Sequence, residues 1–238
     1  MLKYQIDKFA LNAAVSALIE QTNHLGGIEF RYMNSVEGLE AGRASLSEEE
    51  VGEHFRKSLD TLPPNRFFWI GAFIDGVLIG MVAARCDETS GQLQEFVKAY
   101  WERTYEGEQG AFVKLQSGSP AAAVPYSGRL AYIGEGLVRE DFRSKTLSYV
   151  LVRLALLFVF DEWRPEIAYG WMREHHAYRG LFLRWGFNRC ETSAFEWLVR
   201  PSKTDWHNLA FLTCDQTGFE KLIVNPVPKA LFPEKRSN

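Results

Sequence analysis

Val138-Arg139-Glu140-Asp141-Phe142-Arg143-Ser144-Lys145-Thr146-Leu147-Ser148 joins a strand-like run to a long apolar helix. Upstream, residues 130–138 are mostly apolar and include tyrosine, isoleucine and valine. Downstream, residues 147–160 are apolar apart from Ser148 and Arg153. The pattern predicts a strand, a tight turn and a buried helix. A helix start leaves its first N–H groups unpaired and carries partial positive charge, so a turn that aims them outward makes an anion site suited to phosphate. Arg143 and Lys145 add full charge at the same place.

Outward from this stretch, the chain alternates strand and helix signals. Residues 66–74 and 77–85 are apolar runs on either side of Asp75-Gly76, the strongest short hairpin signal. Residues 166–171 read as another strand, 175–185 as a helix, and Gly186-Phe187 as its stop. Residues 88–128 interrupt the order, with a helix expected around 93–105; long loops in compact domains tend to lie at functional rims.

Order and spacing together resemble the GNAT N-acetyltransferase superfamily over about residues 66–200. Its phosphate loop, Gln/Arg-x-x-Gly-x-Gly/Ala, grips the pyrophosphate of coenzyme A, and Arg143 fills the first position. Thr146 and Ser148 stand where that family has glycine, which narrows the loop or changes the phosphate pose. A tyrosine commonly precedes the family's Gly-Phe pair by four residues; here the residue is Phe182. The resemblance implies an α/β, GNAT-type fold: a mixed, mostly antiparallel central sheet flanked by helices and splayed at the acyl-CoA site.

It also implies direct attack of an amine on a thioester. Acetyl-CoA, or another acyl-CoA, is the expected co-substrate, with no metal. A primary amine is mostly protonated at pH 7, so a carboxylate near the acceptor has a proton to take. Glu135 is the candidate base. Strand alternation puts it with Ile133 and Leu137, opposite Tyr132, Gly134 and Gly136; a bulge would swap the faces, and Tyr132 remains a candidate. The alternative for Glu135 is a strand-edge pairing with Arg129 or Arg139. Tyr178 is the candidate general acid, sharing a helical face with Leu181, Phe182 and Trp185, or else simply core. His175 and His176 open the same helix and have no further ligands to make a metal pair. The backbone of Leu137, Val138 and Arg139 is expected to hold the pantetheine arm. Arg143, Ser144, Lys145, Thr146, Leu147 and Ser148 are expected to hold the pyrophosphate, with Phe182 beside the cofactor. Gly134 and Gly136 suit a close approach.

Length and charge set bounds. With 238 residues and 46% apolar content, the chain supports a full core. The expected organisation is an acyltransferase domain over 1–202, including the insertion at 88–128, and a C-terminal extension over 203–238 packed on the same domain through Trp206, Phe211 and Phe219. A net charge of −3 argues against a nucleic-acid partner. Three cysteines, Cys86, Cys190 and Cys214, lie far apart and out of metal spacing, which fits a reducing cytoplasm. No signal peptide is read at the N-terminus, and the longest apolar run is too short for a membrane span. Near the N-terminus the expectations are a strand at 3–6, a helix at 11–22, and a helix opened by Ser47-Glu48-Glu49-Glu50 and running to Leu59. Glu29, Arg31, Tyr32, Asn34 and Glu37 are placed by the resemblance near an acceptor pocket for a small-molecule or peptide amine. Pairing of exposed strand edges in a homodimer is implied in the same way. Two alternatives stay open. One is transfer of a longer acyl chain, with 88–128 and the aromatics building its pocket. The other is a GNAT-like domain that only binds coenzyme A or a partner.

Overall fold

The computed structural model describes residues 5–47, 49–56, 62, 65–91, 93–116, 127–143 and 146–228. Ser144 and Lys145 lie outside them, as do Lys3, Tyr4, Glu48 and residues 57–61.

Seven strands form one sheet: β1 (Glu29–Met33), β2 (Phe67–Ile74), β3 (Val77–Thr89), β5 (Gly128–Val138), β6 (Ile167–Arg173), β9 (Leu209–Cys214) and β7 (Arg189–Glu191), in that spatial order. Every neighbouring pair is antiparallel except β5 and β6. Asp75 (φ 49°) and Gly76 (φ 77°) make the β2–β3 turn, both left-handed as an Asp-Gly hairpin requires. A crossover to a parallel neighbour needs a long connection, usually a helix, and α4 (Leu147–Trp163) supplies it.

Helix α4 is buried almost all round, matching its unbroken apolar run. It shares its face of the sheet with α1 (Lys8–Glu20) and α7 (Gln216–Val224). Arg153, the charged residue in the run, donates to the carbonyls of Arg184 (2.6 Å) and Leu183 (2.9 Å), and to those of Asn225 and Pro226. The other face carries α2 (Val36–Leu46) and α3 (Leu93–Thr104) over two smaller cores. Trp101, Tyr105, Trp171, Phe195, Trp197 and Trp206 pack together in one of them, and the insertion contributes the first two. Two short strands, β4 (Lys114–Leu115) and β8 (Trp197–Val199), tie the insertion to the later chain.

Four expectations are corrected. Gln5 and Ile6 are not in a strand: Asp7 caps α1, accepting from the amides of Phe9 and Ala10. The first strand among the described residues is β1, an edge strand that holds Glu29, Arg31 and Tyr32. Ser47 ends α2 instead of opening a helix, and residues 49–56 hold only a 3₁₀ turn at Glu53–Phe55. Residues 175–185 are two helices, α5 (Glu174–Tyr178) and α6 (Leu181–Trp185), because Gly180 takes a left-handed conformation (φ 73°) between them. Within the expected extension, Leu209–Cys214 forms β9, a strand of the main sheet lying between β6 and β7.

Candidate active site

Strands β5 and β6 pair only from Leu130 to Tyr132 against Ile167 to Tyr169, and then part. At the same point β5 bulges: Met81 faces Leu137 and Ala83 faces Gly134, so Glu135 and Gly136 share one position opposite β3. Glu135 takes the bulge in left-handed backbone (φ 52°). This breaks the expected alternation on the upstream side, where Glu135 shares a face with Tyr132 instead of Ile133, while Leu137 stays on the expected side. Tyr132 and Leu137 pack with the core under α2, Ile133 with the core under α4, and the Glu135 side chain turns to α2.

A cleft of about 150 Å³ passes through the splay. Ile133, Val152, Trp185 and Phe187 line it from the α4 face; Tyr132, Glu135 and Trp171 line it from the other. Gly136 has no atom within 4 Å of where a Cβ would stand, and lines both this cleft and a smaller recess beside Leu137, Val138 and Ser148. Gly134 is approached closely, but by the Tyr132 ring, whose Cε1 would lie 2.7 Å from a Cβ there. A larger cavity, about 450 Å³, lies along α2 and is lined by Glu40, Glu49, Glu50 and Arg56, without Glu135. Chemistry, not volume, favours the splay.

Glu135 is buried, with 9% of its side chain exposed. Its Oε1 accepts from the Gly52 amide at 2.8 Å. Its Oε2 lies 3.6 Å from Arg43 Nε, within ion-pair range but too far for a hydrogen bond, and has no hydrogen-bond donor. Burial pushes the carboxyl above the usual glutamate range, while Arg43 and the Gly52 amide pull it back. Arg129 and Arg139, its alternative partners, are engaged elsewhere: Arg129 with the Trp163 carbonyl, Arg139 with Asp141 at 2.8 and 2.9 Å. The Tyr132 phenol lies over Gly134 at the cleft, and burial holds it protonated.

Tyr178 is 71% exposed, on the other side of the Gly180 break from Phe182. It is not among the residues lining the cleft; Tyr132 is the phenol there. Phe182 packs on the main core, and Trp185, at the other end of α6, lines the cleft in its place. The His175 and His176 rings meet at a tilt (centroids 3.9 Å apart, planes at 46°) outside it. Glu29 pairs with Arg31, Tyr32 donates to Glu162 of α4, and Glu37 accepts from Ser35; none of them lines the cleft, nor does Asn34. Among the described residues no group of three or more His, Cys, Asp or Glu could hold a metal.

At the phosphate turn, a 3₁₀ turn at Glu140–Phe142 precedes α4. Thr146 precedes the helix, and its side chain does not cap the first amides. Arg143 is exposed, and its Nε donates to the Val138 carbonyl at 3.3 Å. The Arg139 amide donates to Ile79 of β3 at 2.9 Å, so by alternation Val138, not Arg139, faces the open edge of β5.

The fold is of GNAT type. The mixed sheet with its one parallel, splayed pair at the cleft is the arrangement the sequence resemblance implies. No protein-family model and no curated protein matches the chain. Three solved structures are similar to this chain. NAA60 of Arabidopsis thaliana in complex with acetyl-CoA is 16% identical, over 79% of this chain and 99% of its own, with a TM-score of 0.47. Aminoglycoside acetyltransferase AAC(6')-Ib with coenzyme A and kanamycin is 14% identical over 82% and 98%, at 0.45. FeeM, an N-acyl amino acid synthase from uncultured soil microbes, is 12% identical over 82% and 94%, at 0.48. At such identities no role passes residue by residue.

Arg43, Gly52, Trp171 and Trp185 escape the sequence reading. The first two are recruited across 92 and 83 positions of the chain, and no local pattern carries that. Trp185 had a signal, its place directly before Gly186-Phe187.

Proposed function

We propose that the chain is an acyl-CoA-dependent N-acyltransferase. It moves an acetyl group to a primary amine of a small molecule or peptide, with Glu135 as general base. The observation that carries this reading is a buried carboxylate in the splay cleft with one oxygen free of donors. The acyl thioester supplies the electrophilic carbonyl. Glu135 takes the proton that the attacking nitrogen sheds, directly or through a water, and burial makes it a stronger base than an exposed glutamate. The Tyr132 phenol is the protonated hydroxyl at hand for the departing sulfur.

The residues around the cleft fit the co-substrate. The start of α4, from Thr146 to Ser148, whose first amides the Thr146 side chain does not cap, suits a pyrophosphate, and the proposal adds Arg143, Ser144 and Lys145, which precede it in sequence. Leu137 and Val138 border the recess suited to the pantetheine arm. Arg139 is the weaker member of that set, since its amide and guanidinium are both engaged.

Two measurements test the reading. Calorimetry should give micromolar acetyl-CoA binding that weakens at least about tenfold in Arg143→Ala, Lys145→Ala, the loss of a charge-assisted contact or two. In a screen of primary amines, Glu135→Gln should lower turnover roughly 10²–10⁴-fold with acetyl-CoA affinity unchanged. Absence of binding to acetyl-CoA and to longer acyl-CoAs would sink the assignment.

A further inference from the structure

The insertion and the loop after α2 meet in a stack of three rings. His54, 4% exposed, lies between Tyr100 of α3 (centroids 4.2 Å apart, planes at 4°) and Tyr132 of β5 (3.9 Å, 28°). The loop backbone is held by the same elements. Tyr100 donates its hydroxyl to the Glu53 carbonyl at 3.3 Å, and Arg85 Nη1 donates to the His54 carbonyl at 2.6 Å. Arg85 is itself fixed by Asp87 through two bonds, at 3.0 and 2.6 Å. Val51 and Phe55 bury their side chains on either side. Between them the loop offers Glu135 one group, the Gly52 amide, at 2.8 Å. A Cβ at Gly52 would stand 2.5 Å from Glu135 Oε1, so the loop backbone covers the carboxylate directly.

We propose that Tyr100 and His54 are positioning residues for Glu135: the insertion clamps the 51–55 loop, and the clamped loop buries and aims the base. The proposal rests on the reading of Glu135 as base. It gives α3 of the insertion a task in the reaction without placing Tyr100 against substrate. The ring of His54 serves as a flat, neutral spacer: its Nε2 has no hydrogen-bond partner, and burial, helped by the Arg85 charge, keeps it unprotonated.

The groups facing Glu135 are Arg43 from α2, the Gly52 amide, Glu49 and Glu53 from the loop, and Tyr132 on its own strand. Burial has the largest influence on its carboxyl, and the loop supplies much of that cover. Loosening the loop hydrates the carboxylate and moves its titration down; losing the Gly52 hydrogen bond acts the other way and is the smaller effect.

The test is a ¹³C titration of the Glu135 side-chain carboxyl in the full chain, assigned with Glu135→Gln, so no substrate is needed. His54→Ala and Tyr100→Leu should each move the titration down by about one pH unit, while His54→Phe, which keeps a flat ring in the stack, should leave it in place. With an acceptor amine in hand, the first two should also lower kcat about tenfold at unchanged acetyl-CoA affinity. If His54→Ala fails to fold, Tyr100→Leu carries the test. A wild-type Glu135 titration in folded Tyr100→Leu, or an equal shift in His54→Phe, would overturn the clamp. Full turnover in Glu135→Gln would instead overturn the base assignment, and the titration separates the two failures.

Discussion

Glu135 occupies left-handed backbone, where a non-glycine residue is disfavoured by about 1 kcal/mol or more. It also holds a carboxylate out of water. Glutamine at this position keeps the first cost, since it has the same Cβ, and removes the second, since it carries no charge. The folded pKa of Glu135 lies above the unfolded value, so the native state keeps the proton over a wider range. The penalty for ionising it therefore grows as pH rises upward from the ordinary glutamate range. Glu135→Gln should gain thermal stability relative to wild type as pH rises above the ordinary glutamate value of about 4, read as a gap in Tm that widens and then levels off once the folded carboxyl is ionised; a gap that stays constant with pH would contradict the raised pKa. Gly52→Ala should displace the carboxylate by the volume of a methyl group, and turnover in the amine assay should fall up to about 10²-fold while acetyl-CoA binding stays as it was. Glu135 itself was legible in the sequence as an acid in an apolar strand. Its orientation was not, because period-2 alternation fails wherever a bulge adds a residue, and nothing in Gly134-Glu135-Gly136 says on which side the extra residue falls.

Among the elements, α4 was the most legible: a run of apolar residues in this length range can only be a buried helix or strand, and its length decides for helix. Arg153 in that run looked like an exception and is a staple. It gathers four carbonyls, two at the end of α6 and two after α7, and burial brings its pKa down to about 10. Arg153→Leu leaves those carbonyls without their donor in a partly buried site, and should cost about 2–4 kcal/mol, a Tm loss of roughly 5–10 °C at this chain length. Since α6 carries Trp185 into the cleft, acetyl-CoA affinity should fall with it; calorimetry on the folded variant checks this. The break between α5 and α6 was present in the sequence as Gly180 within an otherwise helical pattern, whereas the end of α2 was hidden because Ser47-Glu48-Glu49-Glu50 reads as a helix start, although α2 ends at its first residue, Ser47.

For the molecule as a whole, strand order is what local pattern could not supply. The hairpin and the α4 crossover are contiguous in sequence and were readable; β9 pairs with strands 36 and 20 residues earlier in register terms, Arg173 with Leu209 and Glu191 with Phe211. Truncation after residue 202 should therefore abolish cooperative unfolding in circular dichroism, where removal of a merely docked tail would leave it. The placing of β9 also bears on the order of events at the ribosome. Strand β6 emerges with its outer edge unpaired, and β7 has no strand to join, until residues 209–214 follow. At roughly 5–20 residues per second that is an interval of seconds, during which an apolar strand edge is open to any passing chain. A nascent protein of this design depends on whatever shields that edge while translation catches up.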